Sequence, residues 1–144
     1  MKPTLKAGIT HCMTYTVPPD KTVPHLYPES ESFRAMPGVL ATGFMVGLME
    51  WACIEAIRPH LDWPREQSLG TLVEFPHLAA TPPGLTVTVE VRLDAVEGRH
   101  LRFWVRAHDG IDTITEGRHE RVVIERERFD AKVAAKSAKG LCRR

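Results

Sequence analysis

The sequence predicts an α+β domain in which an antiparallel five-stranded sheet wraps around one long central helix. Three observations carry that prediction. One helix-length segment is apolar on all sides, the second half of the chain alternates with a period of two, and short turn signals separate the alternating stretches.

The helix is predicted from about Gly38 to Arg58, ending before Pro59 as helices tend to. Its apolar residues surround most of the circumference, so it needs other structure around it. Gly43 and Gly47 share one face and permit close approach of a backbone or a ligand. The stretch LTVTVEVRLDAV sets Leu85, Val87, Val89, Val91 and Leu93 on one side. HLRFWVRAH does the same with Leu101, Phe103, Val105 and Ala107. Glu97-Gly98 and Asp109-Gly110 read as hairpin turns, and Thr81 to Gly84 joins this part to a strand in TLVEFPHLAA. Ile111 to Glu125 is the last long strand, with Gly117 as a bulge. The short turns suggest that these four strands form a meander. A first strand over Ile9 to Val17 stops at Pro18 and Pro19. An apolar sheet face and a helix without a polar side satisfy each other if the sheet curls around the helix, which is the hotdog arrangement.

The chain of 144 residues, 43 % hydrophobic, is one domain's worth, and a core of this size gains from pairing with a second copy. Nineteen basic against eighteen acidic residues give a net charge of +1, which supplies no electrostatic argument for nucleic acid or a membrane surface. The start, MKPTLKAGITHCMTY, is charged and broken by Pro3, unlike a signal peptide. Cys12, Cys53 and Cys142 are odd in number and far apart, so a reduced, cytoplasmic setting is the simplest reading. Cys53 reads as a small core residue. No cofactor or metal site is expected from the spacing of the histidines and cysteines. Residues of about 18–37 hold five prolines among bulky apolar side chains, and read either as a lid over a site or as a loop pinned to the core. Residues of about 138–144 read as a flexible tail.

Glu50 raises the chemical question. It stands among Leu48, Met49, Trp51 and Ala52, and an ionised carboxylate is costly in such surroundings without a partner. Thr42, eight positions earlier, lies about 80° around the axis and ~12 Å along it, so the two could border one groove. As an N-cap, Thr42 would leave the Gly43 and Phe44 amides free for a carbonyl oxygen; a simple cap explains it equally well. His77, beside Pro76, shares a strand face with Val73 and Phe75, and that face should cover the helix. Glu50 and His77 would then account for each other, the carboxylate orienting the imidazole. The remaining histidines, His119 among them, take ordinary surface or strand-end readings. A threonine, a histidine and a glutamate suit general-base hydrolysis of an activated ester.

The segments KTVPHLYPES, ATGFMVGLMEWAC, SLGT, AATPPGLTVTV, VEGR, AHDG and HERVVI resemble, in order, the hotdog-fold thioesterases that hydrolyse fluoroacetyl-CoA. The resemblance runs from about Ile9 to Lys136. It implies an acyl-CoA thioesterase, a homodimer with sites at the subunit interface, and a catalytic set of Thr42, Glu50 and His77. It also implies that the Gly70 amide meets the acyl group, that Arg121 lies near the pocket, and that Val23, Leu26 and Phe33 belong to an apolar lid. One position departs: Met36 stands where the family carries a second lid phenylalanine, which bears on acyl selectivity and leaves the hydrolytic set intact. Hydratases and dehydratases share the fold, and a non-catalytic acyl-CoA binder would keep pocket and lid. The residue set favours hydrolysis over both.

Overall fold

The computed structural model describes residues 1–143. Strands β1 (Thr10–Thr16), β2 (Glu66–Glu74), β3 (Thr86–Glu97), β4 (His100–His108) and β5 (Thr113–Glu125) form one antiparallel sheet. Helices α1 (Glu31–Arg34) and α2 (Thr42–Ile57) fall between β1 and β2, and α3 (Arg126–Leu141) follows β5. The sheet order is β1-β3-β4-β5-β2. The expected wrapping of sheet around helix is therefore found, but the meander is confined to β3, β4 and β5. Strand β2 crosses the molecule to pair with β5, and the helix-first order of the chain leaves it at the edge opposite β1.

The alternation in the sequence fixes the concave face. Val87, Val89, Val91 and Leu93 of β3 and Leu101, Phe103, Val105 and Ala107 of β4 are all buried. They meet Met45, Leu48, Met49, Ala52, Cys53, Ala56 and Ile57 of α2. Burying such side chains contributes roughly 1.5–3 kcal/mol each before conformational entropy is counted. The helix is shorter at its start than the sequence suggests. Leu40 pairs in a β-bridge with Thr22, so the chain is still extended there and turns helical only at Thr42. A 3₁₀ turn over Arg58–His60 carries the chain past Pro59. The other side of α2 stays open within the chain, with Trp51 46 % exposed. Helix α3 was not foreseen; its apolar residues are too few to give a helical signal, and from Asp130 onward it is exposed.

Two features along the β2–β5 seam shape the site. Gly117 does not make a bulge: it stays in register with Val105. It is instead a crossing point, where an added Cβ would lie 2.3 Å from the Glu74 carbonyl oxygen and 2.8 Å from Phe75 Cβ. The end of β2 passes over β5 at that spot because no side chain is there. The irregularity in β2 lies between Gly70 and Leu72, where Thr71 is the extra residue. Gly117→Ala should therefore force the β2 exit away from β5 and cost about 1–3 kcal/mol. A denaturant midpoint equal to that of the wild type would contradict this account of the crossing.

Candidate active site

Thr42 and His77 meet through the backbone around them. Beyond β2 the chain is irregular, and Leu78 N–H donates to the Ile114 carbonyl of β5 at 2.7 Å. Three residues on, the Thr81 carbonyl accepts from Leu40 N–H at 2.8 Å, tying this segment to the lead into α2. Thr81 is itself pinned by its hydroxyl, which donates to Asp109 Oδ2 at 2.9 Å. The segment that carries His77 is thus clamped between β5 and the start of α2. His77 Nδ1 lies 2.8 Å from Thr42 Oγ1. His77 is not on a strand, since Pro76 follows the end of β2; the alternation argument for its direction fails, and Val73 is 48 % exposed.

Thr42 is the first helical residue and Ala41 is the cap, without a side-chain capping bond. The hydroxyl is thereby left for the imidazole. The first N–H groups of a helix have no intrahelical partner, so those of Thr42, Gly43 and Phe44 are available beside the Thr42–His77 pair. His77 Nε2 is buried and makes no hydrogen bond. Burial pushes the His77 pKa below the ordinary histidine value, and the Ala79 backbone opposes this only in part.

Glu50 is paired differently from the sequence-based expectation. No ion pair links it to His77 within the chain; its Oε1 accepts from Arg121 Nη1 at 3.1 Å. Alternation along β5 turns Arg121 inward, where it is 2 % exposed, while the Glu50 side chain keeps 38 % of its exposure. Arg121 Nε donates to Ser68 Oγ at 2.8 Å and Nη2 to the Ser68 carbonyl at 2.9 Å. An added Cβ on Gly70 would stand 2.5 Å from Glu50 Oε1, so this glycine admits the carboxylate beside the strand. The structure therefore joins Glu50, Gly70 and Arg121 in one cluster and Thr42 and His77 in another.

Sequence reasoning missed two members. Ser68 lies on β2 before the bulge, and His119, given a surface reading, is fully buried. The signal for His119 was available: it alternates with Gly117, Arg121 and Val123 on the inward face of β5. Its pKa is also lowered, chiefly by burial and further by Arg121, against the Leu72 carbonyl, Glu50 and Glu120.

The lid residues divide. Leu26 lies over the start of α2, with its methyls 3.1 and 3.2 Å from where a Gly43 Cβ would be. Phe33 on α1 stacks at a tilt on Tyr27, ring centroids 5.4 Å apart. Val23 begins a short 3₁₀ turn and is half-buried, while Met36 is 51 % exposed. Among the described residues, no group of three His, Cys, Asp or Glu side chains is placed to hold a metal ion, and no helix is long and apolar enough to cross a membrane.

Both lowered imidazoles give stability a sign with pH. The unfolded chain takes up these protons near ~6.5, before the folded one does, so their contribution is full above that value. It is lost as pH falls through the lowered folded-state values. The midpoint of thermal unfolding should drop between about pH 7 and pH 5, a window above the carboxylates; a midpoint that rose on acidification would contradict the neutral assignment.

The family model described as fluoroacetyl-CoA-specific thioesterase matches residues 19–127. The fluoroacetyl-CoA thioesterase of Streptantibioticus cattleyicolor is 56 % identical over 140 residues, which is 97 % of this chain and 100 % of that protein. A crystal structure of a variant fluoroacetyl-CoA-specific thioesterase in complex with fluoroacetate and CoA is 57 % identical, with a TM-score of 0.84 over 87 % of this chain and 99 % of that one. A Thermus thermophilus protein of the thioesterase superfamily is 29 % identical and superposes with a TM-score of 0.84, covering 99 % of each chain. With the model spanning most of the sequence and the identity running nearly end to end, the chain belongs to the fluoroacetyl-CoA-specific thioesterase family.

Proposed function

We propose that this chain hydrolyses a short acyl-CoA of the fluoroacetyl-CoA type to the free acid and CoA, with Thr42, His77 and Glu50 as its catalytic set. The observation that carries the reading is the 2.8 Å contact between Thr42 Oγ1 and His77 Nδ1 at the first turn of α2. A thioester carbonyl set against the free amides of that turn would have its developing negative charge stabilised by them. His77 Nδ1, kept neutral by burial, takes the hydroxyl proton as Thr42 Oγ1 attacks the carbonyl carbon. The carbon–sulfur bond breaks, and the proton passes from His77 to the departing CoA thiolate. Water then attacks the acyl–Thr42 ester with His77 again as base, and His77 returns that proton to Thr42 Oγ1 as the carbon–oxygen bond breaks and the acid leaves. Glu50, fixed by Arg121 through Oε1 alone, keeps its second oxygen free for a water. As it lies ~12 Å along α2 from Thr42, it serves an acyl group only across the subunit interface proposed below. The Gly70 amide contributes to the acyl pocket beside it.

The residues of about 18–37 act as the lid in this reading. Leu26 already covers the start of α2; Val23 and Phe33 complete the apolar cover, and Met36 replaces an aromatic side chain by a flexible thioether. We read the acyl range as broader for that reason. The free thiols Cys12, Cys53 and Cys142 support a reducing, cytoplasmic setting.

The active form in this proposal is a homodimer. Strand β2 is an edge whose outer backbone groups have no partner strand, and Leu69 and Val73 are exposed along it. Pairing of two such edges about a twofold axis is self-complementary, and it would bring the partner subunit up to Gly70 and Glu50.

A thiol-release assay over acetyl-, fluoroacetyl- and longer acyl-CoAs tests the chemistry. Thr42→Ala, His77→Ala and Glu50→Gln should each lower kcat/KM by about 10²–10⁴-fold. Hydrolysis that survives both His77→Ala and Glu50→Gln refutes the assignment. In the same panel Met36→Phe should raise the ratio of fluoroacetyl to acetyl turnover. Light scattering should give twice the chain mass, and Val73→Lys should shift it toward the monomer with loss of activity; an active monomer would refute the dimer.

A further inference from the structure

The cluster that holds Glu50 contains a group that the chemistry above does not use. His119, at 0 % exposure, has hydrogen-bond partners at both ring nitrogens. Nδ1 lies 2.7 Å from the Leu72 carbonyl oxygen. A carbonyl cannot donate, so Nδ1 carries the hydrogen and Nε2 is left with a bare lone pair. Nε2 lies 3.1 Å from Arg121 Nη1, and a guanidinium can only donate. The two contacts together specify one tautomer of a neutral imidazole.

That lone pair has a definite use. Arg121 Nη1 has two hydrogens; one goes to Glu50 Oε1 and the other to His119 Nε2, each at 3.1 Å. Ser68 holds the opposite side of the guanidinium. Without the imidazole acceptor, a buried N–H is left unmatched and the guanidinium is free to turn about its Ser68 contacts, which shifts Nη1 relative to the carboxylate. The same ring meets Phe75 edge-on at 6.2 Å between centroids, two residues before His77. One buried side chain therefore contacts the Glu50–Arg121 cluster and the β2 exit that leads to His77.

We propose that His119 is a positioning residue, a neutral imidazole that locks Arg121 against Glu50 and braces the β2 exit leading to His77. The proposal rests on the reading of Glu50 and His77 as catalytic. Protonation would break the lock, since it would turn the acceptor into a donor facing a guanidinium. The charged groups that face His119 are Arg121 and Glu50, while Glu120 acts on it from the outer face of β5; burial with Arg121 keeps the ring neutral against the two carboxylates and the Leu72 carbonyl.

The test compares His119→Leu with His119→Gln in the full chain, using the acyl-CoA that the wild type turns over fastest. His119→Leu should lower kcat by about 10- to 100-fold through misplacement, with KM within about threefold. His119→Gln, whose side-chain oxygen can accept from Arg121, should recover most of that loss. Nitrogen-15 spectra of the wild-type ring should show Nδ1 protonated and Nε2 unprotonated at neutral pH. A kcat for His119→Leu within about twofold of wild type, an equal loss in both variants, or a protonated Nε2 each overturns the proposal. If His119→Leu does not fold, the Gln variant and the wild-type tautomer decide it. A wild type that cleaves no acyl-CoA sinks the functional reading instead, and the spectra still judge the lock.

Discussion

A guanidinium sunk in the sheet is the constraint on which this site is built. Arg121 is 2 % exposed, and a buried cation is tolerable only with a counter-charge and filled hydrogen-bonding positions. Glu50 supplies the charge, while Ser68 and His119 supply the acceptors. The oddity of a carboxylate in an apolar helix is thus resolved by a β-strand partner two residues past a buried histidine. The carboxylate is held by one oxygen and remains partly open to solvent, which a fully buried ion pair would not be. Stability and chemistry pull the same way here, because the group that neutralises the arginine is the group that would face substrate.

The second requirement is that the chain after β2 must come back over β5. Glycine at 117 opens the gap, Leu78 is tied to Ile114, and Thr81 is tied to both Leu40 and Asp109. These contacts are made by backbone groups and by buried polar side chains, so they are rigid. The imidazole of His77 is placed by this clamp and not by the carboxylate, and the first turn of α2 arrives at the same point from the other side.

Much of the architecture was legible because it rests on periodicity. Val87 to Leu93 and Leu101 to Ala107 announced the concave face, and the all-round apolar helix announced what fills it. Thr42, Glu50 and His77 were also legible as polar exceptions. Their pairing was not, since it depends on sheet order: β2 lies beside β5, and no local signal in TLVEFPHLAA says so. The irregular run after Pro76 likewise defeats alternation, which holds only while a strand is paired. His119 is readable in principle from the inward parity of β5, but an isolated histidine carries no spacing signal that would single it out. Helix α3 rests on helix-forming but mostly polar residues, and it packs on β5 only at its start.

The extra residue at Thr71 makes chain length itself part of the site. Side chains and carbonyls in a strand reverse direction at every step, so removing one residue there would flip everything from Leu72 onward. The Leu72 oxygen would turn away from the imidazole beneath it, and Phe75 would leave its ring. Substitutions at this position change a side chain at the surface, whereas a single-codon deletion would rewire the interior. Among descendants of this sequence, length should therefore drift at the loop tips and stay fixed in the middle of the edge strand.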